Sequence, residues 1–104
     1  MDFRVHITKP AIADLAKIVK YIAQDDPLAA ARTGDRLIGK AESLGNLPLR
    51  GRLVPERREG DCREIVVKPF RIIYRVREEQ SLVQVLRFWH GARGAPVIYE
   101  PTEE

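Results

Sequence analysis

Arg63–Val76, REIVVKPFRIIYRV, and the run behind it, Leu82–Phe88 (LVQVLRF), decide the fold of this 104-residue chain. Val66–Val67 and Ile72–Ile73 are β-branched pairs separated by Lys68–Pro69, a pattern that predicts two short strands joined by a tight turn. The third run is reached through the polar stretch Arg77–Ser81. Consecutive strands with connections this short form an antiparallel meander. Period-two alternation sets Phe70, Ile72, Tyr74 and Val76 on one face of the middle strand, and Arg71, Ile73 and Arg75 on the other. The first face is expected to be core, and the second, with its cations, the working surface.

Upstream, Phe3–Thr8 alternates Phe3, Val5, Ile7 against Arg4, His6, Thr8, as a half-buried strand does. Thr8 is a candidate N-cap, and Pro10 suits a first helical turn, where no amide hydrogen is needed. The helix so begun is expected to reach about Gln24, with Ile12, Leu15, Val19 and Ile22 as its buried stripe and Asp14, Lys17 and Lys20 off it. Asp26–Pro27 repeats the cap-then-proline signal and opens a second helix to about Leu44, with Ala30, Ala31, Gly34, Leu37, Ile38, Ala41 and Leu44 on one face. Gly45 reads as the residue that ends it, and the short link Asp25–Asp26 implies a helical hairpin. Asn46–Asp61, with Pro48, Gly51, Pro55 and Gly60, reads as loop. The order β-α-α-β-β-β gives an α+β domain: a helical hairpin on one face of an antiparallel sheet, which the first strand joins beside one of the later ones. The domain is expected to span 1–94, with 95–104 as a tail containing Pro96 and Pro101 and ending in acids.

Composition narrows the function. Residues 50–77 carry nine cations against four acids, a net +5 in a chain whose total is +3, and eight of the nine are arginine. Arginine suits planar, bidentate contact with phosphate or carboxylate, so a nucleic acid or an acidic protein segment is a fitting partner; a solvated, charged sheet face is the plain alternative. The single cysteine, Cys62, excludes an internal disulfide and a cysteine-cluster metal site, and fits a reducing cytoplasm. No apolar run approaches the roughly 20 residues that span a bilayer, so no membrane association is expected.

Three ordered motifs carry a resemblance that extends from residue 3 to about 93. They are Thr8 with Ala11, Asp14-Leu15 and Tyr21-Ile22; Gly51-Arg52-Leu53-Val54-Pro55-Glu56; and Arg63-Glu64 followed by Phe70–Val76 and His90-Gly91-Ala92-Arg93. Together they resemble the RelE/ParE superfamily of type II toxin–antitoxin toxins. The resemblance implies the small α+β fold, a cognate antitoxin that wraps and silences the protein, operator DNA contacted only through that antitoxin, and no cofactor or metal. RelE-like members are ribosome-dependent, metal-independent mRNA endonucleases. Their pattern falls here on Arg71, Arg93 and Tyr99 as catalytic residues, with fixed cations stabilising charge on a phosphorane-like transition state. The two strand lysines of that pattern fall on Glu64 and Val66, and a carboxylate at that place repels phosphate. ParE-like members bind DNA gyrase and trap it on cleaved DNA; the Gly51–Glu56 segment and the His90-Gly91-x-Arg93 turn are similar to many of these. The resemblance therefore implies a gyrase-directed toxin first, an mRNA endonuclease second, and an inactive antitoxin-binding relic third.

The residues have structural alternatives. Arg52, Arg63, Arg71, Arg75 and Arg93 form a coherent basic patch for target or antitoxin, or the polar side of a strand and its loops. Tyr99 is a catalyst or a ring packed on the domain. His90 and His6 read as structural, Trp89 as core, and Arg52 with Glu56 as a local ion pair that fixes the loop. A plain nucleic-acid-binding module also fits the basic patch, but the strands lack the aromatic pairs that stack bases.

Overall fold

The computed structural model describes residues 2–56 and 61–98. In chain order the elements are β1 (Arg4–Ile7), α1 (Lys9–Ala23), α2 (Pro27–Glu42), β2 (Arg52–Leu53), β3 (Arg63–Val67), β4 (Phe70–Arg77) and β5 (Leu82–His90), with single 3-10 turns at Ser43–Gly45, Glu78–Gln80 and Gly91–Arg93. They form one five-stranded sheet in the order β1-β5-β4-β3-β2, with both helices on one face. The expected α+β architecture is what the chain adopts. Two details differ. The meander β3-β4-β5 is antiparallel, but β1 lies parallel to β5, pairing Arg4–Ile7 with Leu82–Val85, so the sheet is mixed. The loop contributes a fifth strand, β2, which pairs Arg52 with Glu64 and Leu53 with Arg63.

Each face of the sheet has its own apolar cluster. Under the helices lie Leu37, Ala41, Leu44, Ile72, Tyr74, Val85 and Phe88 with their neighbours. Each large side chain there contributes about 1.5–3 kcal/mol by leaving water. On the opposite face Val54, Cys62, Ile73, Leu86 and Trp89 are buried, and Ile98 packs against them. The division follows from alternation with one interruption. Ile73 pairs with Arg87 but Tyr74 pairs with Val85, so Leu86 is an extra residue in β5. That bulge reverses the parity of the strand: Val83 and Val85 face the helices before it, and Phe88 does so after it.

The helices begin near their predicted signals. Asp26 caps α2, its Oδ1 accepting from Ala29 N at 3.0 Å. Thr8 occupies the cap position of α1 but makes no side-chain cap; its hydroxyl donates instead to Val85 O at 2.7 Å. The stripe of α1 is also turned from the expected one. Ile12 is 54% exposed, whereas Ala11 and Asp14 are buried. In α2 Ala30, Gly34, Leu37 and Ala41 are buried as expected, while Ala31 is exposed. Gly34 permits close helix packing: a Cβ there would sit 3.2 Å from Val19 Cγ2. Gly45 lies inside the 3-10 turn with its neighbourhood set by β1, where a Cβ would meet Phe3 O at 2.6 Å.

Gly39 has no such reason: it is exposed in mid-helix, and an added Cβ would meet nothing within 4 Å. Gly39→Ala is expected to raise stability by about 0.5–1 kcal/mol, through helix propensity and the loss of unfolded-state freedom. A rise in the urea midpoint with unchanged slope checks this.

Candidate functional site

Glu64 is the hub of the arginine face. It sits on β3 between Arg71 across the ladder and Arg52 on β2, and it is 1% exposed. Its Oε1 accepts from Arg71 Nε at 2.5 Å and its Oε2 from Arg52 Nε at 2.6 Å. Arg71 is claimed a second time, by Glu56, whose Oε1 accepts from Nη2 at 2.8 Å. Glu56 therefore pairs with Arg71 and Arg52 with Glu64, not with each other as the loop sequence suggests. The reason is β2: pairing Arg52 opposite Glu64 puts that carboxylate within reach first.

The remaining arginines divide. Arg75 is 3% exposed and forms an ion pair with Asp61 at 3.1 Å. Arg63 turns to the loop, donating from Nη1 to Gly51 O at 2.8 Å. Gly51 N in turn donates to the buried Tyr74 hydroxyl at 2.8 Å. Burial pushes the Tyr74 phenol above its ordinary value, so it remains a neutral acceptor. The close approach leaves no room for a side chain at Gly51, where a Cβ would stand 2.5 Å from that hydroxyl. Arg93 stands apart, 4.0 Å over the Trp89 ring, which also receives Arg87 at 4.8 Å. Tyr99 lies outside the described residues. The expected open basic face is thus largely covered: Arg71 and Arg75 are held under the loop and matched by Glu56, Asp61 and Glu64, whereas Arg52 and Arg93 remain exposed.

The Arg71 hydrogen bond also holds the Glu56 carboxyl below its ordinary 4.5. A carboxyl with a lowered folded pKa adds stability above its unfolded pKa, and that contribution is lost as pH falls through the folded value. Glu56 is more than a third exposed, so the contribution is under about 1 kcal/mol. Wild type should therefore exceed Glu56→Gln in stability near neutral pH, and the gap should close below the folded pKa; denaturation curves at several pH values check this.

Two features escaped the sequence reading. The first is Asp14–Arg87. Asp14 Oδ2 and Oδ1 accept from Arg87 Nε and Nη2, both at 2.7 Å, and Oδ2 also accepts from Phe88 N at 3.1 Å. Asp14 recurs three residues after Ala11, and Arg87 interrupts an apolar run; those were the available signals. The second is a groove of about 410 Å³ between the hairpin and the β4–β5 end of the sheet. Ile18, Ile22, Phe70 and Phe88 form its walls, with Lys17 and Arg93 among the charged residues lining it. His90 is also there, edge-on to Phe70 with Nδ1 accepting from Ala92 N, which is the structural role expected. Among the described residues no helix is long and apolar enough to cross a membrane.

Known proteins share this fold. A family model described as the ParE toxin of the type II toxin–antitoxin system, parDE, matches residues 5–94. Toxin RelE2 of Caulobacter vibrioides is 44% identical over 84 residues, which cover 80% of this chain and 89% of that protein. Toxin RelE1 of the same organism is 36% identical over 94 residues, covering 88% and 96%. Among solved structures, a chain of the chromosomal ParDE system of P. aeruginosa superposes with a TM-score of 0.70 at 22% identity, covering 85% of this chain and 95% of that one. A chain of the RelBE2 toxin–antitoxin complex of Mycobacterium tuberculosis gives 0.66 at 24%, covering 86% and 99%. The structural likenesses establish the fold; with the family match across residues 5–94, the chain belongs to the ParE toxin family of type II toxin–antitoxin systems, within the RelE/ParE superfamily.

Proposed function

We propose that this toxin acts in the cytoplasm by poisoning DNA gyrase and is silenced by a cognate antitoxin, which supplies the sequence-specific contact with operator DNA. One observation carries the choice of target: Arg71, the strand cation that a ribonuclease would aim at phosphate, is bound by two carboxylates. A fixed cation stabilises a transition state only if its charge is directed at the reacting group. At Arg71 the charge is already compensated, and Glu64 stands where the endonuclease pattern has a lysine. The antitoxin reading draws on the groove beside the hairpin. Its apolar walls suit the apolar face of a helix, and Lys17, Arg36 and Arg93 suit acids flanking that face.

The second reading is a ribosome-dependent mRNA endonuclease using Arg71, Arg93 and Tyr99; the RelE names of the two Caulobacter toxins favour it. The test is a supercoiling assay with purified gyrase and antitoxin-free toxin. Loss of supercoiling with accumulation of cleaved, gyrase-linked DNA supports the proposal. Unimpaired supercoiling by protein that still binds its antitoxin, with cleavage of ribosome-bound mRNA, replaces it with the second reading. Inactivity in both assays leaves the relic.

A further inference from the structure

A second concavity, of about 710 Å³, lies on the other side of α2, between that helix, the start of β2 and the outer edge of β3. Arg36, Lys40, Arg50, Arg52 and Lys68 line it, and among the described lining residues Glu64 is the single acid. Glu64 is 1% exposed and is engaged with Arg52 and Arg71, so it offers little to a ligand. The arginines are held in place. Arg36 Nη2 donates to Lys68 O at 3.0 Å, Arg50 Nη2 to Ser43 Oγ at 2.7 Å, and Arg52 Nε to Glu64 Oε2. Each anchor uses one nitrogen of a five-donor fork, leaving the other donors for a ligand. The sheet adds to this. Val54 N donates to Cys62 O, so the Cys62 carbonyl faces β2, and period two turns the backbone of Val66 the same way. The β2 pairing ends at Glu64, which leaves Val66 on an open edge facing the concavity.

We propose that this concavity holds the phosphate backbone of duplex DNA, a site that shares Arg52 with the sheet-face cluster but not Arg63, Arg71, Arg75 or Arg93, and that is independent of which enzyme the toxin poisons. Three features select that ligand. Anchored guanidiniums match phosphate geometry better than a scatter of lysines does. The net charge of the lining is strongly positive. Among the described residues no aromatic side chain lines it, so they offer no platform for unstacked bases and suit a backbone read without sequence.

The test is fluorescence anisotropy of antitoxin-free toxin with a short labelled duplex across a salt series. Single-stranded RNA and a polyglutamate peptide serve as competing probes. If all five cations engage phosphates, the logarithm of affinity should fall against the logarithm of salt with a slope of about −4.5. Lys40→Glu with Lys68→Glu should weaken duplex binding roughly tenfold or more and flatten the slope by about 2. Lys20→Glu with Arg32→Glu changes the charge equally on exposed helix positions outside the concavity and should leave the slope intact. Comparable weakening by the control pair overturns the proposal, because bulk charge then explains the binding. Tighter binding of the RNA or of polyglutamate than of duplex overturns it too, as does absence of duplex binding at low salt by protein with an unchanged circular dichroism spectrum.

Discussion

Asp14→Ala should cost about 3–5 kcal/mol of folding stability. The residue makes three hydrogen bonds from within α1 to β5, and both its side chain and that of Arg87 are 10% exposed or less. The site explains why such a costly group is tolerated. β1 ends at Ile7, so among the described residues β5 beyond Val85 has no strand on that side. Its backbone is satisfied piece by piece: Val85 O by Thr8 N and Oγ1, and Phe88 N by the Asp14 carboxylate. Asp14 thus continues the sheet where the strand stops, and Arg87 compensates its charge while reaching on to Val97 O at 2.7 Å. Removing the carboxylate takes the paired charge from a buried guanidinium and the acceptor from a buried amide. Asp14→Asn keeps one acceptor for Phe88 N and should fall between alanine and wild type. Urea denaturation followed by Trp89, the single tryptophan, is a direct readout. A loss under about 1 kcal/mol for the alanine variant would mean that the pair does not hold α1 to the sheet.

That pair also shows where local pattern stops being informative. Periodicity identifies an amphipathic helix by its hydrophobic residues, and on that basis Ile12 belongs inside and Asp14 outside. The structure does the reverse, because the partner that makes Asp14 affordable lies 73 positions away. Four of the five strands, the hairpin, the Asp26 cap and the helix face of β4 were legible, since each depends on neighbours within a few residues, whereas β2 was read as loop. The parallel placement of β1 was not: alternation tells which face of a strand is buried, but not which strand it pairs with or in which direction. The arginine face is the most instructive case. Alternation correctly separates Arg71, Ile73 and Arg75 from the helix side. It says nothing of what covers the other side, which here is the loop carrying Val54 and Cys62 together with Ile98.

Glu64→Gln should cost about 3 kcal/mol or more, and its value is that it separates two mechanisms as well as two stabilities. The carboxylate has no exposed side-chain surface and accepts one hydrogen bond from each of two arginines. An amide keeps one oxygen but turns an NH2 donor toward a guanidinium donor, so one arginine loses its acceptor and both lose the compensating charge. Arg71 has the less freedom to respond, because its side chain is 12% exposed and Glu56 then holds it alone. Glu64→Lys, which restores the residue type of the endonuclease pattern, should be worse, since it sets a third cation beside Arg52 and Arg71 with no room to leave. The functional consequence follows from the same geometry. If Arg71 belongs to a ribonuclease held in check by Glu64, then Glu64→Gln removes one of its two compensating carboxylates and leaves more of its charge for phosphate, and cleavage of ribosome-bound mRNA should appear or increase in the folded fraction. If the toxin poisons gyrase, the Glu64–Arg71 pair is architecture; the variant should lose stability, yet inhibit supercoiling in proportion to the folded protein present and cut no mRNA. Cleavage by Glu64→Gln together with full gyrase activity would reverse the assignment of target and make Glu64 the residue that restrains the nuclease.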